Sequence, residues 1–197
     1  MCLRSASLLA QAIVNIEELR REGEIGFFTN VSAGLDASRG NRDRDYYKLR
    51  IRFDNNSEDA ESFLIMQQTE RKSNDIVMDK SKFMHGRYIF IGEDAIHWEM
   101  FAQYSENPFR NYKKRSVLGG GLRFELSKSG RLGAGLLNEE ETDLTGKSKT
   151  TERLGFYFHT DFDIAENISF DPTIYFQPSI ENFENDYKAS MILALDF

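Results

Sequence analysis

The sequence predicts an all-β fold, an antiparallel up-and-down transmembrane β-barrel of about ten strands. Three observations carry that prediction. Apolar and polar residues alternate along nearly the whole chain from Glu22 onward, as in strands with two unlike faces. The stretches between these segments alternate between long and charged and mostly shorter. Large aromatics collect near the ends of the apolar faces. A length of 197 residues suits a single domain with a real core or a closed barrel.

At the N-terminus, Met1-Cys2-Leu3-Arg4 is short and basic, Leu8-Leu9-Ala10 is apolar, and Ala10-Gln11-Ala12 has the small-x-small form of a signal-peptidase site. Residues 1–12 are therefore expected to be the tail of a secretory signal, with an ordinary frayed terminus as the alternative. Residues 13–21 are expected to form a periplasmic segment and residues 22–197 the barrel. The first strand pattern sets Ile25, Phe27, Thr29, Val31, Ala33 and Leu35 against small or polar residues such as Asn30, Ser32 and Gly34. The second sets Tyr47, Leu49, Ile51 and Phe53 against Lys48, Arg50, Arg52 and Asp54. Stronger alternations follow around Ile96–Tyr104, Leu118–Leu126, Leu154–Phe162 and Tyr187–Phe197, and weaker ones at 61–72, 81–91, 131–138 and 168–177.

Counted from Glu22, the odd connections are expected at 39–45, 72–80, 106–112, 138–149 and 178–186, and the even ones at 55–60, 92–94, 127–130 and 163–167. Short turns at one end and longer loops at the other are expected of an outer-membrane barrel, not of a soluble sandwich. An even strand count puts both ends of the barrel on the periplasmic side.

With 92–94 as a periplasmic turn, the outward aromatics Phe53, Phe90, Trp98, Phe124, Phe162, Phe170 and Phe197 fall near periplasmic strand ends. Tyr104 and Tyr187 fall near the opposite ends, so these residues are expected to form a membrane girdle in two belts. A β-sandwich core built from the same residues is the alternative. The other face carries Arg50, Arg52, Arg87, Glu99, Arg115, Arg123, Glu125, Arg153 and Asp161 in one parity. That many charges in a dry sandwich core would cost far too much desolvation, whereas a barrel interior lets them pair and keep some water. This ladder is expected to be a salt-bridged filling, with a selective path or binding site as the sharper alternative. Gly119 and Gly121 are expected to leave room for the guanidinium groups of Arg115 and Arg123, and Arg115 to pair with Glu99 or Glu125. Pro172 and Pro178 are expected to mark an irregular or edge stretch of the ninth strand.

Composition excludes several classes. The 25 Lys and Arg against 32 Asp and Glu leave a net charge of −7, which argues against a nucleic-acid partner. The single cysteine, Cys2, builds neither an internal disulfide nor a zinc site. A spanning helix needs about 20 apolar residues, far more than the longest run, Met191-Ile192-Leu193-Ala194-Leu195. The three histidines His85, His97 and His159 are scattered, and neither a G-x-S-x-G elbow nor an H-E-x-x-H pair occurs. No catalytic residue, cofactor or metal ligand is assigned, and each histidine is expected to be an interior hydrogen-bonder. The run Glu139-Glu140-Glu141 with Asp143 could collect a divalent ion but reads first as a solvated loop.

Two segments carry a family resemblance. Val14-Asn15-Ile16-Glu17-Glu18-Leu19-Arg20 is one, and the stretch from Phe101-Ala102-Gln103-Tyr104 through Asn107, Phe109-Arg110 and Arg115 to Gly119-Gly120-Gly121-Leu122-Arg123 is the other. They resemble the start of the mature chain and the central hairpin of the YdiY-like salt-induced outer-membrane proteins, a bacterial family of unestablished molecular function. The resemblance implies an outer-membrane β-barrel and supplies no catalytic residues. Family members are often longer, which allows a barrel of about twelve strands.

The expected location is the bacterial outer membrane, with outer-membrane lipid and lipopolysaccharide as surroundings. A final strand ending in Phe197 resembles the signal by which barrel-assembly machinery recognises its clients. The expected role is structural, envelope stress or a narrow pore. The alternatives are a soluble up-and-down barrel enclosing a small amphiphile, with its apolar side chains inward, and, further off, an outer-membrane hydrolase.

Overall fold

Period-2 alternation becomes strand after strand, with no helix among the described residues. The computed structural model describes residues 24–92, 95–109, 112–127, 129–165 and 168–196. The expected signal tail, the periplasmic segment, Cys2, Arg110 and Phe197 lie outside the described residues. The strands are β1 (Gly26–Ser38), β2 (Arg44–Asn56), β3 (Ala60–Ser73), β4 (Ile76–Phe90), β5 (Ile96–Glu106) and β6 (Lys114–Glu125). They continue as β7 (Gly130–Thr142), β8 (Ser148–Thr160), β9 (Phe162–Ala165), β10 (Ile168–Pro178) and β11 (Tyr187–Asp196). All lie antiparallel in one sheet in the order β1-β2-β3-β4-β5-β6-β7-β8-β10-β11, and β9 also pairs with β10.

β8 and β9 share one place in the sheet. β10 pairs with β8 from Thr173↔His159 to Phe176↔Phe156, and with β9 at Ser169↔Asp163 and Phe170↔Phe162. The ladder lapses at Asp171 and Pro172, and proline has no N–H to donate. Beyond Pro178 it resumes, through an Arg153↔Ser179 bridge and the Ile180 amide donating to Glu152 O at 2.9 Å. The prolines thus punctuate one seam of the ninth position, while the other side of β10 pairs with β11 without a break from Ser169 to Pro178.

The connections differ from the expected pattern. The expected loop 72–80 is a two-residue turn at Asn74 and Asp75, both with positive φ (47° and 63°), which joins two long strands. The expected loop 138–149 is mostly strand, because a tight turn closes it. Asp143 Oδ1 accepts from the Thr145 amide at 2.8 Å and the Lys147 amide at 3.0 Å, and Gly146 supplies a φ of 92°. Strict long-short alternation is therefore absent: residues 91–95 form a longer connection than 74–75. Charged residues that resemble loop in sequence are here strand ends.

The sheet rolls into a β-barrel-like form. Phe63 and Ile65 of β3 pack with Tyr157 of β8 and Tyr175 of β10, strands far apart in the sheet order. Two close approaches allow this. Gly121 and Gly135 face each other across β6 and β7, where a side chain on either would run into the opposing backbone. Gly133 lies directly under the Tyr157 ring. Gly119 leaves its space to Leu137 and Phe101. The inward glycines therefore accommodate rings and backbone, not the guanidinium groups expected from sequence. A methyl group at Gly133 displaces Tyr157 from the interior, so Gly133→Ala is expected to lower stability by about 1–3 kcal/mol, read from denaturant unfolding in detergent.

Candidate functional site

The two faces of the sheet are inverted relative to an ordinary globular domain. Buried side chains among the described residues are mostly polar or charged, including Arg87, Glu99, Arg115, Arg123, Glu139 and Arg153. Among the described residues seven hydrophobic side chains form the buried core. The outward face carries the apolar surface, with Leu118 65 %, Leu136 60 % and Met191 64 % exposed.

Inside, three groups of charges lie along the sheet, with smaller ones at Glu125 and Asp161. On β2 the Arg52 guanidinium forks onto Asp54, its Nε donating at 2.9 and 2.8 Å, and lies over the Phe63 ring. In the middle, Arg87 donates to Glu99 at 2.6 Å and lies 4.7 Å from the Phe101 ring centroid. Tyr157 reaches the same carboxylate from β8 with its hydroxyl at 3.3 Å, and Arg123 donates to that hydroxyl at 3.4 Å. Farther along, Glu139 of β7 accepts from Arg115 of β6 and Arg153 of β8, both at 2.9 Å, and from Lys188 of β11. Arg153 continues to Asp186 at 2.7 Å.

The expected ladder residues share one face but do not all meet. Arg115 pairs with Glu139, where Glu99 or Glu125 was expected; Glu99 is taken by Arg87. Glu125 lies 4.0 Å from Arg123 and 3.3 Å from His97. Asp161 lies 3.8 Å from both Arg131 and His159, and Arg50 stands half-buried. The hub, Glu139, was not expected. Three acids in a row resemble a solvated loop, yet alternation carries Leu137 and Glu139 inward and turns Glu140 out. The inward parity of Gly133 and Gly135 was the signal that could have found it.

The expected girdle residues that are described occupy the outward face; Phe197 lies outside the described residues. Phe90 stands opposite Trp98, Phe124 opposite Ile96 and Leu132, and Phe162 opposite Phe170, their rings 5.4 Å apart. Phe53 stacks with Phe27 at the same end. Towards the other end lie Tyr104, whose hydroxyl donates to Glu106 at 3.2 Å, and Tyr187, against Phe176.

Between the Arg87 and Glu139 groups lies a cavity of about 50 Å³, walled by His85, Gln103, Val117, Tyr157, Tyr175 and Gln177. That is room for a few waters. His85 is sandwiched among the Phe63, Phe83 and Phe101 rings.

A family profile described as "Protein of unknown function, DUF481" matches residues 31–195. The chain belongs to the DUF481 family. Comparison with curated proteins gives no match. This agrees with the family-level resemblance seen in the sequence.

In this DUF481 protein a hydroxyl, an imidazole and a carboxylate do line up: Thr173 Oγ1 is 2.8 Å from His159 Nδ1, and His159 Nε2 is 3.8 Å from Asp161. Thr173 is fully buried, and its hydroxyl joins β10 to β8 through His159. Among the described residues no three His, Cys, Asp or Glu side chains converge as a metal site. His97 accepts the Gly92 amide at 3.0 Å and so braces the β4–β5 connection.

Glu139→Ala would remove the carboxylate that three cations share inside the DUF481 sheet, leaving Arg153 to Asp186 and Arg115 and Lys188 to the half-exposed Glu141, and the expected loss is about 3 kcal/mol. Glu140→Ala, one position along and exposed, is expected to fall within about 0.5 kcal/mol of the parent in the same unfolding measurement. A pH effect is expected in the 179–186 loop. The Arg153 guanidinium, with Lys149 behind it, holds the Asp186 carboxyl below its usual range. Because the folded pKa is the lower one, this stabilisation is full above the ordinary carboxylate range and is lost as pH falls through the depressed value. Proteolysis or hydrogen exchange of that loop should accelerate below about pH 4, and Asp186→Asn should remove the dependence.

Proposed function

We propose that this protein is an integral outer-membrane β-barrel whose interior is held by charge pairs, serving the envelope structurally or as a narrow pore. The observation that carries this reading is the inverted burial: ion pairs inside, and a continuous apolar outer face. In water such an apolar face would drive aggregation, and in hydrocarbon it is the stable arrangement. Strand lengths of 10 to 15 residues for the full sheet positions meet the roughly 9–11 residues needed to cross a bilayer. An apolar groove on the outer face of about 430 Å³, among Phe53, Leu64, Gly86, Tyr88, Met100 and Ala102, suits an acyl chain. A soluble barrel enclosing an amphiphile would need the opposite orientation, but Phe156 and Leu193 are 40 % and 54 % exposed.

Leu136→Arg tests the reading directly. Leu136 lies midway along β7 on the outward face. Against lipid an arginine there is expected to cost about 2–4 kcal/mol of folding into vesicles. Against water the same change would be nearly neutral. Recovery of the parent protein in the soluble fraction, with no heat-modifiable gel band, would overturn the proposal.

A further inference from the structure

The interior is not neutralised evenly. Most of the buried and half-buried inward cations have a carboxylate within reach: Arg52 has Asp54, Arg87 has Glu99, and Arg115, Arg153 and Lys188 share Glu139. Strand β2 departs from this rule. Lys48 and Arg50 share the inward parity of Arg52 and Asp54, and among the described residues neither side chain takes part in a hydrogen bond or an ion pair. Both remain half-buried and reachable by water.

Their neighbours by register are uncharged. Lys48 stands between Gly34 of β1 and Thr69 of β3, and Arg50 between Ser32 and Gln67. Asp36, one inward position along β1, makes no ion pair with Lys48 among the described residues. Gly34, Ser32 and Asn30 are small, and Ser32 and Asn30 are exposed. The opposite part of the interior is filled by Phe63, Ile65, Tyr157 and Tyr175. Water therefore reaches a trough along β1 and β2, at the end of the sheet order where β1 is exposed on both faces, and two uncompensated cations stand in it. The chain as a whole carries −7, so this local sign is not a by-product of its net charge.

We infer that the β1–β2 trough, with Lys48 and Arg50 as its selective groups, is a path for small anions. This rests on the membrane-barrel reading above. A narrow lumen bounded by low-dielectric walls concentrates the field of its charges, and Lys and Arg lining such a pore favour anions. Neither group has a carboxylate to release before an anion can approach.

The test uses the full chain, refolded and reconstituted into planar bilayers under a potassium chloride gradient, with vesicle flotation run alongside. The expected result is a chloride-to-potassium permeability ratio above unity that approaches unity as salt rises and screens the cations. The K48E/R50E variant should bring the ratio below unity, and K48Q/R50Q to an intermediate value. Lys113→Glu, in the 107–113 connection, should leave it unchanged. Heat-modifiable mobility confirms that each variant is folded. A floating, folded protein with no conductance, a potassium preference, or a ratio insensitive to both double variants would overturn this inference while leaving the membrane reading intact. Failure to float would overturn both.

Discussion

The constraint on which the rest depends is that a charge buried deep inside the sheet must find an opposite charge within reach. Glu139 shows how strongly this acts. It sits diagonally between Arg115 on β6 and Arg153 on β8, and Lys188 reaches it from β11 across two intervening sheet positions. One carboxylate therefore ties together charges from four strands. A flat sheet would hold Lys188 too far away, since neighbouring strands are about 4.8 Å apart. The roll of the sheet is the geometric form of that neutralisation, and the Phe63–Tyr157 packing follows from it.

Glycines and rings complete the filling. Between β6 and β7, Gly121 and Gly135 face each other without the Cβ atoms that would meet the opposing backbone. Gly133 lets Tyr157 lie flat, and its hydroxyl then links Arg123 to Glu99. The interior is thus a mosaic of ring faces and guanidinium groups. Arg87 over Phe101 and Arg52 over Phe63 are its junctions, where a cation is satisfied by a carboxylate on one side and a π-face on the other. Such packing explains why so few aliphatic side chains are needed inside.

The fold was legible because strand alternation is a local property. Ile51 and Arg52 face opposite ways whatever the rest of the chain does, so the face of each strand and the count of sheet positions could be read directly. Connections were less legible. Lys72 to Lys80 resembles a loop by charge, and only the positive φ of Asn74 and Asp75 converts it into a tight hairpin. The pairing of the ladder was hidden for a different reason. Which carboxylate meets Arg115 depends on register and diagonal offset between strands, and a one-strand pattern contains neither. Glu139 was missed twice over, once as a loop residue and once as a partner.

Asp186 and Lys188 flank the start of β11 on a single short stretch of chain. Each meets an opposite charge already in place, Arg153 for the first and Glu139 for the second. A slip of the last strand by one residue would turn Lys188 to the apolar side, and a slip by two would part both contacts together. The terminal hairpin thus carries a two-pronged key whose teeth, of opposite sign, accept a single alignment. Smooth aliphatic residues such as Ala189, Met191 and Leu193 would otherwise let that strand slide.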